Sequence, residues 1–208
     1  MNIVVKRKEE TCITYEQIID LMHESFQERL DQGLKFTCSF MGVEEYKRKT
    51  DGGIIFVAID KDTGCLMGTA MVRIRKDENN INYGYNEYLA VSPKMKRCGI
   101  GSNLERESVC VCEENNCEYI LCDTAVDAIS SVKYHLKKGF KIIGLRSYSS
   151  TNYYSYLFRK QLVPSKKWNS DLYCKYVFLK SYIVTKLCLK KDGTVTLFYS
   201  LYKKIKGK

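Results

Sequence analysis

Gly99 and Gly101 stand in a Gly-X-Gly spacing between an apolar run and a long amphipathic stretch, in Tyr88-Leu-Ala-Val-Ser-Pro-Lys-Met-Lys-Arg-Cys-Gly-Ile-Gly-Ser-Asn-Leu104. A strand that runs into a glycine turn and opens a helix suits a phosphate group. The N–H groups of the first helical turn have no internal partners, and the helix dipole attracts negative charge. Lys94, Lys96 and Arg97 bring three cations to the same turn. No Lys-Ser/Thr pair follows the second glycine, so this is not a Walker loop. Leu104 occupies the third glycine position of a dinucleotide fingerprint, so it is not that either. Taken alone, Gly-X-Gly serves equally well as a bland connection.

A second segment lies downstream, Ser130-Ser-Val-Lys-Tyr-His-Leu-Lys-Lys-Gly-Phe140. The first segment resembles the coenzyme A pyrophosphate loop of the GNAT N-acetyltransferase family, Gln/Arg-X-X-Gly-X-Gly/Ala after the fourth strand, with Lys96 at the Gln/Arg position. The second resembles the family helix that ends in Gly-Phe before the next strand. The resemblance covers roughly residues 2 to 160. It implies a mixed α/β fold, a twisted sheet flanked by helices on both faces, with the fourth and fifth strands splayed to admit the thioester arm. It also implies acetyl-CoA as the cofactor and transfer of its acetyl group to a primary amine, by direct attack in a ternary complex.

That chemistry needs a neutral amine, stabilisation of an oxyanion and a proton for the leaving thiolate. Carried over from the family, the backbone of Leu89, Ala90 and Val91 would pair with the pantetheine arm and supply the oxyanion contact, at a strand opened by a bulge. The pyrophosphate would rest on the segment from Lys96 and Arg97 through Cys98, Gly99, Ile100, Gly101 and Ser102. Glu87 is the expected base; the plainer reading is a solvated strand carboxylate. The family's acid is a tyrosine four positions before the glycine of Gly-Phe, and here that position is His135. Tyr134 is its neighbour, turned about 100° away on the helix. The family's asparagine near the start of this helix falls on Ala128, with Asp127 beside it as the remaining polar contact. No metal site is expected, and His23 reads as an ordinary helix residue.

The elements that must position these residues follow an α/β order. Residues 2–6 read as a strand, and Thr14-Tyr-Glu-Gln17 has the form of a capping box for a helix to about Leu30, with Ile18, Met22 and Phe26 on one face. A short helix is predicted over 42–49 and strands over 54–59, 66–75 and 81–91, the first two joined by a turn at Asp60–Gly64. Helix 101–114, strand 118–122, helix 127–138, and strands 141–146 and 153–159 complete the expected domain, residues 1–160. In this fold the segment Glu28 to Lys49 lines the acceptor side. Its Arg29, Lys35, Phe36, Phe40 and Tyr46, with Glu28, Asp31, Glu44 and Glu45, suit an amino sugar or simply a solvated helix pair.

The net charge of +10 is unevenly placed, because residues 161–208 hold eleven lysines and two acidic residues. Pro164 and Ser165 mark the join to this basic, aromatic-rich extension. It is expected to form a helix from near Ser170 and a hairpin strand over Thr194 to Leu201 after Asp192-Gly193. Three lysines within 172–189 argue against a membrane span. The extension would either pack on the domain or a second subunit, as in a homodimer, or lie in an anionic membrane interface. Together with Phe26-Gln-Glu-Arg-Leu30 it is similar to GNAT members found among bacterial surface-polysaccharide enzymes. A nucleic-acid-binding module using the basic tail and a non-catalytic acyl-CoA sensor are the competing classes. Ten cysteines without Cys-X-X-Cys spacing, and charge within six residues of Met1, favour a cytoplasmic chain, peripheral at most to the inner face of a membrane. Cys98 is either a bystander like the other thiols or one whose pKa the cationic loop lowers.

Overall fold

In the computed structural model, which describes residues 2–199 and 202, Thr14 starts the first helix as its sequence predicts. Its hydroxyl accepts from Gln17 N–H at 3.3 Å, while Gln17 Oε1 accepts from Thr14 N–H at 2.8 Å. Two orphan donors are thus satisfied reciprocally. The helix, α1 (Tyr15–Asp31), buries Ile18, Ile19, Leu21 and Met22. A second helix, α2 (Val43–Thr50), is capped by Gly42 and buries Tyr46.

Four antiparallel strands accompany these helices in the first of two units, Met1–Ile120. They are β1 (Ile3–Arg7), β2 (Ile54–Asp60), β3 (Leu66–Lys76) and β4 (Asn82–Val91), paired in chain order. Gly64, at φ 71°, closes the β2–β3 turn by donating to Asp60 O at 2.8 Å. Ile18, Met22, Met41, Tyr46, Ile55, Val57, Met71 and Ala90 form one core cluster. A third helix, α3 (Ile100–Glu114), packs on β2, β3 and β4. β2 is therefore apolar almost throughout, as a strand covered on both faces must be.

The strand β5 (Tyr119–Ala125) leads into the second unit, Leu121–Lys208. It runs to Ala125, three residues beyond the predicted end, because Val126 N–H donates to Tyr154 O at 2.9 Å and Tyr148 donates to Asp123 Oδ2 at 2.7 Å. Polar Asp123 and Thr124 read as a strand end in sequence, yet pairing keeps them extended. The helix α4 (Ile129–Lys137) starts two residues later than predicted, since Ala128 N–H is held in a turn by Ala125 O at 3.0 Å. Strands β6 (Lys141–Ser147) and β7 (Tyr154–Gln161) are antiparallel, with β7 between β5 and β6.

The basic extension then forms a short helix, α5 (Lys166–Asn169), and a long one, α6 (Asp171–Cys188), capped by the side chains of Ser165 and Ser170. α6 packs on β6, at the end of the strand order. Ser181 Oγ accepts from Leu145 N–H at 3.0 Å, and Thr185 Oγ1 donates to Leu145 O at 2.9 Å. Hydroxyls on a helix thereby satisfy backbone groups of an edge strand. A turn at Asp192-Gly193 follows, but the predicted hairpin strand is reduced to one bridge between Leu189 and Val195, because the chain turns into helix at Phe198 and Tyr199. Residues 200 and 201 of the predicted hairpin strand lie outside the described residues. Among the described residues no helix is long and apolar enough to cross a membrane.

Burial first, and then the charge of Asp123, pushes the Tyr148 phenol from its ordinary 10.0 up to about 12. Between those values the folded chain keeps a proton that the unfolded chain has lost, so this contribution to stability, complete below pH 10.0, fades as pH rises to about 12. Tyr148→Phe is expected to flatten the fall in Tm over that window, measured by thermal melts at stepped alkaline pH. An unchanged slope would show that the Tyr148 phenol does not contribute.

Candidate active site

Three features of the first unit meet along β3 and β4. The first is a bulge. Thr69 pairs with Ala90 and Met71 with Glu87, so Tyr88 and Leu89 together face Ala70. Tyr88 sits at φ 55°, a left-handed conformation seldom adopted by an aromatic residue. Its ring packs edge-on against Tyr46, with centroids 5.3 Å apart, and burial together with the Glu87 charge pushes its phenol pKa up. The bulge lies on the stretch where the sequence placed cofactor pairing, with Leu89 inside it. Ala90 and Val91 return to register, opposite Thr69 and Gly68, and Val91 O accepts from Ser25 Oγ at 3.0 Å.

The second is the loop that follows. Pro93–Met95 makes one 3₁₀ turn, Arg97 takes φ 67° and Gly99 takes φ 80°, capping α3 with no side chain. Asn103 N–H makes the first helical bond, to Gly99 O at 3.0 Å, which leaves Ile100, Gly101 and Ser102 as the donors of an uncapped first turn. Nothing lies within 4 Å of where a Gly99 Cβ would sit, so conformation, not space, calls for glycine there. Lys94, Lys96, Arg97 and Cys98 are exposed around it. Lys96 Nζ is 2.9 Å from Glu28 Oε2, and that hydrogen bond holds the Glu28 carboxyl below its ordinary range. Cys98 Sγ lies 3.8 Å from Lys96 O.

The helix that carries this loop is seated by a residue the sequence reading passed over. A Cβ on Gly68 of β3 would fall 2.8 Å from Ile100 Cγ2 and 3.1 Å from Ala90 O and from Leu104 Cδ1. Only a residue without a side chain lets the first turn of α3 sit so close to the sheet.

The third feature is Glu87. Its Oε2 is 3.6 Å from Arg73 Nε and 3.7 Å from Arg75 Nη2, and the side chain is about one-quarter exposed, at 24%. Arg73 in turn donates to Asp51 O at 2.5 Å and Lys49 O at 2.6 Å, tying Glu87 to the end of α2. Arg75 lies over the Tyr85 ring, 5.0 Å from its centroid. The sequence reading missed both arginines, although their spacing of two on a strand puts them on one face.

On the predicted acceptor segment, Phe26 stacks on Phe36 at 5.3 Å and the Arg29 guanidinium lies 5.1 Å from the Phe36 centroid. Phe40 is exposed, whereas Tyr46 is wholly buried core. Asp31 binds Gln27, and Glu44 and Glu45 pair with Lys47 and Lys49. His23 Nε2 is 3.1 Å from Met41 O, a structural contact.

In the second unit, His135 is buried on α4 with Nδ1 3.6 Å from Cys122 Sγ, its ring against Phe140 and Phe158 at 5.3 and 5.1 Å. Tyr134 is half-buried. Asp127 is exposed ahead of α4 and its carbonyl accepts from Ile129 N–H at 3.0 Å; Ala128 caps the helix with no side-chain bond.

Residues 15–140 match the model of the acetyltransferase (GNAT) family. The chain belongs to this family. Among curated proteins none matches the sequence. Solved structures share the GNAT fold at low identity. A chain of the NatC complex bound to Gag peptide and CoA has a TM-score of 0.61 at 16% identity, over 78% of this chain and 100% of that one. A GNAT acetyltransferase from Elizabethkingia anophelis with acetyl-CoA bound has a TM-score of 0.54 at 16% identity, over 77% and 99%. The IAA acetyltransferase from Bacillus cereus ATCC 14579 has a TM-score of 0.56 at 15% identity, over 77% and 100%.

Gly68→Ala is expected to lower stability by about 1–3 kcal/mol through overpacking. Ile100→Ala should relieve part of that loss in the double variant, a coupling read by a denaturation cycle. Additive losses would mean that Gly68 does not seat α3.

Proposed function

We propose that this GNAT chain transfers an acetyl group from acetyl-CoA to a primary amine by direct attack in a ternary complex. The observation that carries the reading is the glycine-capped, cation-rimmed start of α3 directly after a bulged β4. The residues fit the cofactor. Gly99, Gly101 and the N–H groups of Ile100 and Ser102, with Lys96, Arg97 and Cys98 around them, would hold its pyrophosphate. Leu89, Ala90 and Val91 would pair with its pantetheine arm, and Asp127 would add a polar contact. When bound, acetyl-CoA supplies an activated acyl group. Lys96 would leave Glu28 to meet the phosphate, an exchange that costs little because exposed ion pairs are weak.

Glu87 would accept the proton of the incoming ammonium, held in place by Arg73 and Arg75. Tyr134 or His135 would donate the proton that the departing sulfur needs. The acceptor we propose is an amino sugar carried on lipid for surface-polysaccharide assembly, handled by a cytoplasmic enzyme. Exposed Phe40 and half-buried Phe26 offer faces for a sugar ring, with Arg29 beside them and buried Phe36 stacked behind Phe26. Residues 1–160 would form the catalytic domain and 161–208 a basic extension. The buried His135 at the acid position favours one second reading, a non-catalytic acyl-CoA sensor that keeps the loop without turnover.

Calorimetric titration with acetyl-CoA should show binding in the wild type and none in Gly101→Glu. A carboxylate in the first turn favours the helix itself while opposing the phosphate. No binding in the wild type would end both readings. Glu87→Gln should lower kcat by about 10²–10⁴-fold with acetyl-CoA affinity unchanged. Normal turnover there removes Glu87 as base, and no turnover of any amine by the wild type favours the sensor. Tyr134→Phe should slow turnover at unchanged Tm if Tyr134 is the acid, whereas His135→Phe should lower Tm whichever residue fills that role.

A further inference from the structure

α6 is amphipathic in the reverse of the usual sense. The residues it buries in the second unit are small or polar: Cys174, Thr185 and Cys188, with Ser181 bonded to Leu145 beside them. Phe178 is half-buried against Tyr156, but five large residues on the opposite side point to solvent. Leu172 is 80% exposed, Tyr176 61%, Leu179 55%, Ile183 47% and Leu187 49%. Their spacing of four, three, four and four places them on one stripe about 22 Å long. At 100° per residue, Lys175 and Lys186 border the stripe on one side and Lys180 on the other. The sole acidic residue of the helix, Asp171, is paired with Lys141 at 2.7 Å.

We propose that this face of α6 docks on an anionic lipid surface. The apolar stripe would enter the boundary between headgroups and acyl chains, where burial of Leu and Ile side chains supplies the gain. Lys175 and Lys180 keep their ammonium groups at headgroup level while their stems lie along the apolar zone, and Lys186, with its Nζ 3.9 Å from the Tyr154 ring centroid, adds its charge beside them. Tyr176 and the partly exposed Tyr182 have the mixed character that membrane interfaces favour. Charge decides between lipid and a second copy of the chain. Two such faces laid together would oppose lysine to lysine with no carboxylate between them, whereas an anionic bilayer complements all three. Docking stands on α6 alone and holds whether the chain is an enzyme or a sensor.

The test is co-sedimentation of the full chain with phosphatidylcholine vesicles, with and without phosphatidylglycerol. Binding is expected only to the anionic vesicles and should weaken with salt. Leu179→Glu/Ile183→Glu should abolish it. Lys175→Gln/Lys180→Gln/Lys186→Gln should weaken it on the order of a hundredfold, about fivefold per lysine. All five positions are exposed, so circular dichroism should stay unchanged, and Tm should fall only slightly in the lysine variant, which gives up the Lys186 contact with the Tyr154 ring. Should the glutamate pair fail to fold, the lysine variant carries the test. Absence of vesicle binding, equal binding to neutral vesicles, or full binding by a folded variant would overturn the proposal. So would a dimer in analytical ultracentrifugation that Leu179→Glu/Ile183→Glu dissociates, which would assign the stripe to a second copy.

Discussion

The register of β3 against β4 is the constraint on which the candidate site depends. One run of β3 sets every part of it in the first unit. Gly68 gives α3 its seat, Ala70 faces the two-residue bulge at Tyr88 and Leu89, and Arg73 and Arg75 frame Glu87. A slip of one residue would turn all of these side chains to the other face of the sheet. Burial fixes that register: Val72 and Met71 are fully buried, so neither face can be exchanged for the other without exposing a core residue.

Backbone strain is concentrated in the same stretch. Tyr88, Arg97 and Gly99 all take positive φ within twelve residues of chain. For the two non-glycine residues this costs on the order of 1–2 kcal/mol each. Packing holds Tyr88 there, its ring against Tyr46 and the core cluster around it. Arg97 is exposed, with the Ser92–Met95 turn before it and α3 after it. Such conformations persist where the surrounding structure over-determines them, and they gather at sites that bind or react. Their position between a strand bulge and an uncapped helix start is what links fold to proposed activity.

The second unit solves a different problem. β6 stands at the end of the strand order, and the backbone groups of Leu145 would need water or another strand. Ser181 and Thr185 meet them from α6, which obliges that helix to turn small polar residues inward. The Leu and Ile residues that make it a helix are then left outward. The basic extension is thus both a cover for an edge and the source of an unpartnered apolar face.

Much of this was legible in the sequence, because local signals and local structure coincide there. The Thr14–Gln17 box, the Gly64 turn, the Gly99 cap and the Ser170 start of α6 each act through residues within four positions of one another. The strand spans were readable from apolar runs to within a few residues, and two motifs in order carried the family. What sequence could not supply were contacts between distant positions. Gly68 against Ile100, Arg73 reaching Lys49 and Asp51, Cys122 beside His135, and Ser181 on Leu145 all join residues more than ten apart. The sequence by itself determined the elements from β1 to β7 and where the Gly99–Gly101 turn lies, since propensity, capping and glycine conformation are local. Only tertiary packing decided which partners hold Glu87, how closely α3 sits on its sheet and which face of α6 is left to solvent, since burial and cross-strand register belong to the assembled chain.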